Sequence, residues 1–150
     1  MILNIRVLGI GLVVAGLCWT GALGAAEPAP AVTSKIILKA TRAWDGTPIV
    51  YPQGTAEVTG IIVTVAPGAQ TGWHAHPVPS FGMVLEGELE VELQDGRRLT
   101  LKAGDGLAEV FERAHNGRNT GTVPMKVLVF YAGVTEKALT QMLPAPPPPR

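Results

Sequence analysis

The fold of this chain is decided by residues 72–87, which read Gly72-Trp73-His74-Ala75-His76-Pro77-Val78-Pro79-Ser80-Phe81-Gly82-Met83-Val84-Leu85-Glu86-Gly87. The stretch contains two of the three histidines in the sequence. Alternate side chains of a β-strand point to the same face, so His74 and His76 are expected to project side by side. The third histidine, His115, lies in a second glycine-rich segment bounded by turns. We expect the three imidazoles to meet on one metal ion inside a small β-barrel.

A β pattern continues on both sides of this stretch. Residues 88–93 alternate strictly, with Leu89, Val91 and Leu93 on one face and three glutamates on the other, which predicts a strand with a solvated outer face. The pair Asp95-Gly96 then predicts a hairpin. One short helix is predicted at residues 135–143, and no strand–helix alternation is present. The predicted strands are residues 35–40, 47–51, 57–65, 80–85, 88–93, 97–102, 107–111 and 125–131. Short strands at regular spacing predict an all-β sandwich or barrel.

The chain is predicted to begin with an export signal. Residues 1–26 combine one positive charge at Arg6, an apolar run and a small-residue end, as in a cleaved secretory signal peptide. The alternative is a membrane anchor, since the run reaches the lower length limit for spanning a bilayer. A lipid anchor at Cys18 is disfavoured because Leu17 precedes it. We expect a periplasmic or secreted protein without stable membrane insertion after cleavage, with cleavage following Gly24 or Ala26.

The mature chain is predicted to be one domain. Residues 27–33 form a flexible lead-in, residues 34–133 the barrel, and residues 134–150 a C-terminal extension with a proline-rich tail. The formal net charge is zero, which excludes the basic surface typical of nucleic-acid binding. The single cysteine, Cys18, falls in the signal, so the mature protein has no disulfide framework.

Two segments resemble the motifs of the cupin superfamily, whose first motif has the pattern Gly, His-x-His, Glu, Gly and whose second has Gly, Pro-x-Gly, His, Asn. The residues that match are Gly68, His74, His76 and Gly87 in the first motif, and Gly104, His115 and Asn119 in the second. Local matches further resemble small exported single-domain bacterial cupins with the type-2 conserved barrel; these are Trp73-His74, Pro77, Val84-Leu85-Glu86-Gly87, His115-Asn116-Gly117 and Phe130-Tyr131-Ala132-Gly133. The resemblance implies a cupin double-stranded β-helix, a jelly-roll barrel, over about residues 58–131.

The chain departs from these motifs at two places. Ser80 stands where the family's glutamate ligand is expected, and Val110 and Glu112 stand at the proline and glycine of the second motif. What remains is a three-histidine set, which suits one divalent transition metal ion (Fe, Mn, Zn, Ni or Cu) without choosing among them. Without the carboxylate the site is one charge more positive, which favours an anionic or bidentate substrate. It also leaves coordination positions open, as in catalytic rather than structural sites.

Glu109 is the candidate replacement for the missing carboxylate. It shares strand phase with His115 if the strand continues between them, so it is expected to be either a fourth ligand or a hydrogen-bond partner of an imidazole. The alternative is an ordinary ion pair with Arg113 or Arg118. Asn119 is interpreted as a turn residue rather than a ligand.

Three functions remain open from the sequence. One is an exported metalloenzyme acting on a small molecule; cupins with three histidines include thiol and diketone dioxygenases, so the resemblance permits oxygen chemistry. A second is a non-enzymatic module that binds a small, sugar-like ligand, and a third is a partner-binding domain with a relic motif. No general base or nucleophile is readable, so no catalytic residue is assigned. Phe81, Met83 and Leu85 are candidates for a homodimer interface.

Overall fold

Strands are the only regular secondary structure in the part of the chain that the computed structural model describes, residues 31–147. Residues 31–34 form no regular element, and the compact unit begins at Lys35. Its strands are β1 (Ala56–Val65), β2 (His74–Ala75), β3 (Ser80–Glu86), β4 (Glu88–Leu93), β5 (Arg98–Lys102), β6 (Gly106–Ala108), β7 (His115–Asn119), β8 (Met125–Val134) and β9 (Gln141–Met142).

The strands form two antiparallel sheets, one with the order β1-β8-β3-β6 and the other with the order β5-β4-β7-β2-β9. The longest pairing joins β1 to β8 in unbroken register, from Ala56 opposite Val134 to Val65 opposite Met125. Strands distant in the sequence are neighbours in both sheets, as in a jelly roll. The predicted all-β, double-stranded β-helix fold is therefore confirmed.

The hydrophobic core lies between the two sheets. The residues buried in it come from both: Val65, Val84, Leu107, Met125 and Val127 from the first sheet, and Leu89, Val91 and Leu101 from the second. A smaller cluster contains Ala43, Leu93 and Val110, and the Trp44 side chain packs against both clusters. The alternation predicted for residues 88–93 is confirmed, because the apolar side chains of β4 are buried. Its glutamates Glu90 and Glu92 form ion pairs with Arg98 of β5.

Three local predictions are wrong. Residues 35–40 and 47–51 form no strand; the only pairing near them is an isolated bridge between Arg42 and Pro48. The Ala43 N–H donates to Thr47 O and the Ile49 N–H donates to Thr41 O on either side of this bridge, and Pro48 has no N–H with which to pair on its other side. Residues 135–143 form no helix, and their end pairs with β2 as strand β9 instead. Tertiary pairing overrides the weak helical propensity of a segment this short.

The predicted signal peptide, residues 1–26, lies outside the described residues. Within residues 31–147, no helix is long and apolar enough to cross a membrane.

Candidate metal centre

The three histidines lie side by side because β2 pairs with β7. These neighbouring strands place His74 directly opposite His115, and His76 follows two residues after His74 on the same face. A turn at Gly72, whose φ of 82° suits glycine, brings the chain into β2. The ring centroids are 4.8 Å apart for His74 and His76, 4.3 Å for His74 and His115, and 4.9 Å for His76 and His115.

Each imidazole is oriented by a backbone carbonyl. The Nδ1–H of His74 donates to Gly72 O at 2.8 Å, that of His76 to Leu139 O at 3.0 Å, and that of His115 to Arg113 O at 2.9 Å. A carbonyl only accepts hydrogen bonds, so the proton of each ring belongs on Nδ1 and the lone pair on Nε2. The Nε2 atom of His115 is buried and has no partner among the described residues.

The imidazoles are held in the neutral form that a metal ion requires. Burial, followed by the positive charge that His115 would carry, lowers the pKa of His74. The same two causes, with His74 in addition, lower the pKa of His76 to about 3. Burial also lowers the pKa of His115. At neutral pH the site therefore presents three uncharged ring-nitrogen donors.

The described residues include one group suited to hold a metal ion, and it consists of these three histidines, with ring nitrogens within 4.8 Å of one another. Three ring nitrogens this close together, with the other nitrogen of each ring fixed by a hydrogen bond, match the arrangement of histidine ligands in metalloproteins. The residues therefore fit a divalent transition metal ion. Their donor type does not select among Fe, Mn, Zn, Ni and Cu.

Glu109 lies beside this cluster. Its side chain is 15% exposed, and its Oε1 is 3.8 Å from His115 Nε2. Burial raises the pKa of Glu109 to about 7, against opposing effects of the His74 imidazole, the Trp44 indole and the Val110 N–H. The strand predicted at residues 107–111 ends at Ala108 and does not continue to His115, which begins β7 in the other sheet, so the condition for a shared strand phase is not met.

The ion pair between Glu109 and Arg113 or Arg118, the alternative role predicted for Glu109, does not form among residues 31–147. Arg113 forms ion pairs with Asp45 and Asp95. Whether Glu109 acts as a ligand stays a prediction.

The positions that depart from the cupin motifs have distinct structural roles. Ser80 begins β3 and is 1% exposed, and its Oγ has no hydrogen-bond partner among the described residues. Val110 is buried in the smaller core cluster. Glu112 has a φ of 54°, so the chain keeps a left-handed turn where the family motif has glycine, at the cost that a side chain adds there. The Glu112 N–H donates to His76 O at 2.7 Å, which holds this turn against the histidine strand.

A cavity of about 230 Å³ opens beside the histidines. Its walls are mostly aliphatic, with side chains from β1, β4 and β8, namely Ile61, Val63, Leu89, Val91, Val127 and Val129. The polar groups lining it besides the histidines are Thr71, Glu109, Tyr131 and Thr140. No lysine or arginine lines the cavity in the part of the chain described here.

Sequence reasoning missed the C-terminal residues that complete this site. Leu139 contributes the carbonyl that orients His76, although 63 residues separate the two in sequence. The Thr140 hydroxyl lies 3.3 Å from the same Nδ1, and Thr140 also lines the cavity. No local pattern marks these residues, because their role arises only when β9 pairs with β2. Tyr131 is also buried, with its ring edge-on to His76.

Asn119 is the last residue of strand β7 rather than a turn residue, and its side chain holds the turn that follows. Its side chain is fully buried; Nδ2 donates to Val65 O and Val123 O, and Oδ1 accepts from Gly121 N. Because its side-chain amide is already hydrogen-bonded to the backbone, Asn119 has a structural role beside the site and is not a ligand.

The two-sheet barrel and the segment that carries its three histidines are similar to known proteins. Residues 61–131 match the family described as Cupin domain, a stretch that covers just under half of the chain and contains all three histidines. Together with the two-sheet barrel, this match supports placing the chain in the cupin superfamily.

Solved structures and a curated protein are similar over part of the chain. An oxalate decarboxylase from Lactobacillus farciminis, in a formate complex, has 21% identity and a TM-score of 0.52 over 57% of this chain and 26% of its own. The DMSP lyase DddQ from Ruegeria pomeroyi has 24% identity and a TM-score of 0.50 over 65% of this chain and 46% of its own. "Oryzines biosynthesis cluster protein J" from Aspergillus oryzae is 44% identical over 39 residues, which are 26% of this chain and 22% of the relative. The chain thus spans about a fifth of that curated relative, and these likenesses show the fold alone.

Proposed function

We propose that this protein binds one divalent transition metal ion through His74, His76 and His115 and uses it to transform a small organic molecule. The observations that carry the proposal are the three Nδ1–H···O=C hydrogen bonds, which leave a lone pair on Nε2 of each ring, and the close approach of the rings, which brings one ring nitrogen of each histidine within 4.8 Å of those of the other two. Such an ion supplies Lewis acidity or redox chemistry, according to its identity. Three protein ligands leave coordination positions open, which is the arrangement of catalytic sites.

The cavity indicates a largely apolar substrate with a metal-binding group at one end. Its aliphatic walls can desolvate a hydrocarbon body. The sequence favours an anionic or bidentate substrate, and the cavity lining formed by residues 31–147 offers no lysine or arginine to pair with a separate anionic group. We therefore favour the bidentate class, such as small diketones, catechol-like phenols or aminothiols, over substrates with a second, distant charge.

An enzyme of the oxygenase kind is preferred to a sugar-binding module. A sugar requires several hydrogen-bond partners for its hydroxyls, because each buried hydroxyl without a partner costs free energy. The lining provides Thr71, Tyr131, Thr140 and Glu109 amid aliphatic side chains, which is a poor match to such a ligand.

The metal content of the purified protein tests the proposal. We expect about one transition metal ion per chain, and EDTA should lower the melting temperature by roughly 10 °C if the ion is present at about 100 times its dissociation constant. The His74→Ala, His76→Ala double variant should contain no metal and should not respond to EDTA. Arg118→Ala, an exposed change on neighbouring β7, serves as the control. A metal-free wild-type protein with an EDTA-independent melting temperature would refute the proposal.

Oxygen uptake with a panel of small diketones, thiols and phenols separates an oxygenase from a binder. We expect uptake with at least one compound in wild type and none in the double histidine variant. Saturable binding of a panel compound with no turnover would identify a binding module instead.

We also propose export and self-association. Export rests on the pattern of residues 1–26, and recovery of the uncleaved chain only from the cytoplasmic fraction would disprove it. Self-association rests on an apolar outer face of the β1-β8-β3-β6 sheet, where Ile62 is 60% exposed and Phe130 is 46% exposed. Such a patch on one sheet face fits a two-fold contact between identical chains.

A further inference from the structure

We propose that Glu109 supplies the carboxylate of the metal centre. Glu109 lies beside Ser80, and Ser80 stands at the position where the cupin motif carries its glutamate. The acidic ligand has in effect moved from β3 to the end of the neighbouring strand β6. This inference rests on the proposed metal binding by the three histidines and adds a fourth protein group to it.

The backbone places Glu109 next to Ser80. The β3–β6 ladder pairs Phe81 with Ala108, and the Glu109 N–H continues it by donating to Ser80 O at 3.0 Å. The two residues are therefore neighbours at the same level of the sheet. A serine side chain is too short to occupy the space of a glutamate, which leaves room for the Glu109 side chain at this level. Ser80 Oγ is buried and unpartnered within the described residues, so it does not compete for the same contacts.

Two buried atoms, Glu109 Oε1 and His115 Nε2, lie close together in a position where a cation could bind to both. Glu109 Oε1 and His115 Nε2 are 3.8 Å apart, and neither has a hydrogen-bond partner among residues 31–147. Because the His115 proton is on Nδ1, both atoms are acceptors whenever Glu109 is ionised, and they then cannot bond to each other. Two buried acceptors left facing one another are costly, whereas an ion between them satisfies both. Arg113 is engaged with Asp45 and Asp95, so it does not provide that positive charge.

The Trp44 indole is the competing partner for this carboxylate. Its Nε1–H is also buried without a hydrogen-bond acceptor among the described residues. If Glu109 served only to accept from Trp44, removing the indole N–H would matter and removing the negative charge would leave metal affinity unchanged. The Trp44→Phe variant separates these two roles.

Zn²⁺ affinity, measured by competition with a chelator, tests the inference. Glu109→Gln keeps the shape of the side chain and removes its charge; we expect affinity to fall by about tenfold or more, with an altered visible spectrum of the Co²⁺ form. Glu112→Gln removes the same charge from an exposed position three residues away and should change affinity by less than about threefold, as should Trp44→Phe. The swap Ser80→Glu, Glu109→Ser returns a carboxylate to the centre from β3 and should regain most of the lost affinity.

The outcomes are decisive in each direction. The inference is wrong if wild type binds Zn²⁺ and Glu109→Gln binds it equally well, while the proposed three-histidine centre stands. It is also wrong if Glu112→Gln loses as much affinity as Glu109→Gln, since the effect would then be a general one of charge. A wild type that binds no Zn²⁺ overturns the proposed function together with the inference. Melting of the metal-free proteins shows whether each variant is folded; Glu109→Gln should be at least as stable as wild type, because it buries no charge.

Discussion

Single residues around the metal centre are positioned mainly through the backbone. The three imidazoles are each fixed by a carbonyl, and the carbonyl for His115 belongs to Arg113. The Arg113 side chain is in turn held by Asp45, whose side chain is 1% exposed, at 2.9 Å. A turn residue far from the histidines in sequence thus helps to place the loop that orients one of them.

Asp45→Asn should lower the free energy of unfolding by about 1–2 kcal/mol at pH 7, through loss of charge-assisted hydrogen bonds to a partly exposed arginine. Burial of the Asp45 carboxylate opposes ionisation, but the Thr47 N–H and hydroxyl and the Arg113 guanidinium hold its pKa below the ordinary value. A lowered folded-state pKa contributes stability that is present above the unfolded pKa of about 3.9 and is lost as pH falls through the folded pKa.

Denaturant unfolding at several pH values measures this effect. The difference between wild type and Asp45→Asn should be constant from about pH 5 to 8 and shrink below about pH 4. Thr47→Ser, which keeps both hydrogen bonds to Asp45, is the control. A difference that stays undiminished at pH 3 would show that ionised Asp45 is not its source.

Among the strands, the C-terminal strand β9 has a role that the sequence did not predict. Strand β9 lies beyond the residues that match the Cupin domain family, yet it pairs with β2 and brings Leu139 and Thr140 to the site. We name residues 139–143 the C-terminal strap. The Leu143 N–H donates to Trp73 O at 2.8 Å and fastens its end. We therefore expect the strap to affect metal binding through the orientation of His76.

Leu143→Pro removes that N–H, and Leu143→Ala keeps it while shortening the side chain. A backbone hydrogen bond contributes about 1 kcal/mol net, so the strap should open about five times more often in the proline variant. We expect faster amide exchange at residues 139–142 and weaker Zn²⁺ retention in Leu143→Pro, with Leu143→Ala close to wild type. Equal exchange and retention in the two variants would show that the strap does not support His76 through this bond.

At the scale of the whole molecule, the outer face of the β1-β8-β3-β6 sheet exposes apolar side chains that no described residue covers. Register aligns Ile62 with Leu128 and Met83 in one row, and Phe130 with Phe81 in the next. The Phe130 ring lies over Gly60, where an added Cβ would be 2.7 Å from the ring. Leu85, also predicted at an interface, lies at the β-bulge that ends the regular β3–β8 pairing. The resulting rows are apolar, with Lys126 and Glu86 paired at one end.

Phe130→Glu places a charge in the middle of this face and should convert a dimer into a monomer in sedimentation equilibrium, because a two-fold contact would bring two such charges together. Val123→Glu adds the same charge at an exposed apolar residue outside these rows and should leave the dimer intact. Zn²⁺ affinity should be unaffected in both. A monomeric wild type would disprove self-association, and a dimeric Phe130→Glu would assign the interface to another surface.

Features that depend on neighbouring residues could be predicted from the amino-acid sequence. Alternation in residues 88–93, the turn pairs and the His-x-His spacing predict strands and the face on which they point, because the pleat repeats every two residues. The family motifs then led to the barrel and to His115. Only the tertiary structure decided which distant residues meet: Glu109 beside Ser80, Arg113 and Leu139 behind two imidazoles, and β9 against β2. These contacts depend on strand register and on backbone carbonyls, and a carbonyl is present at every residue, so no residue type reveals it.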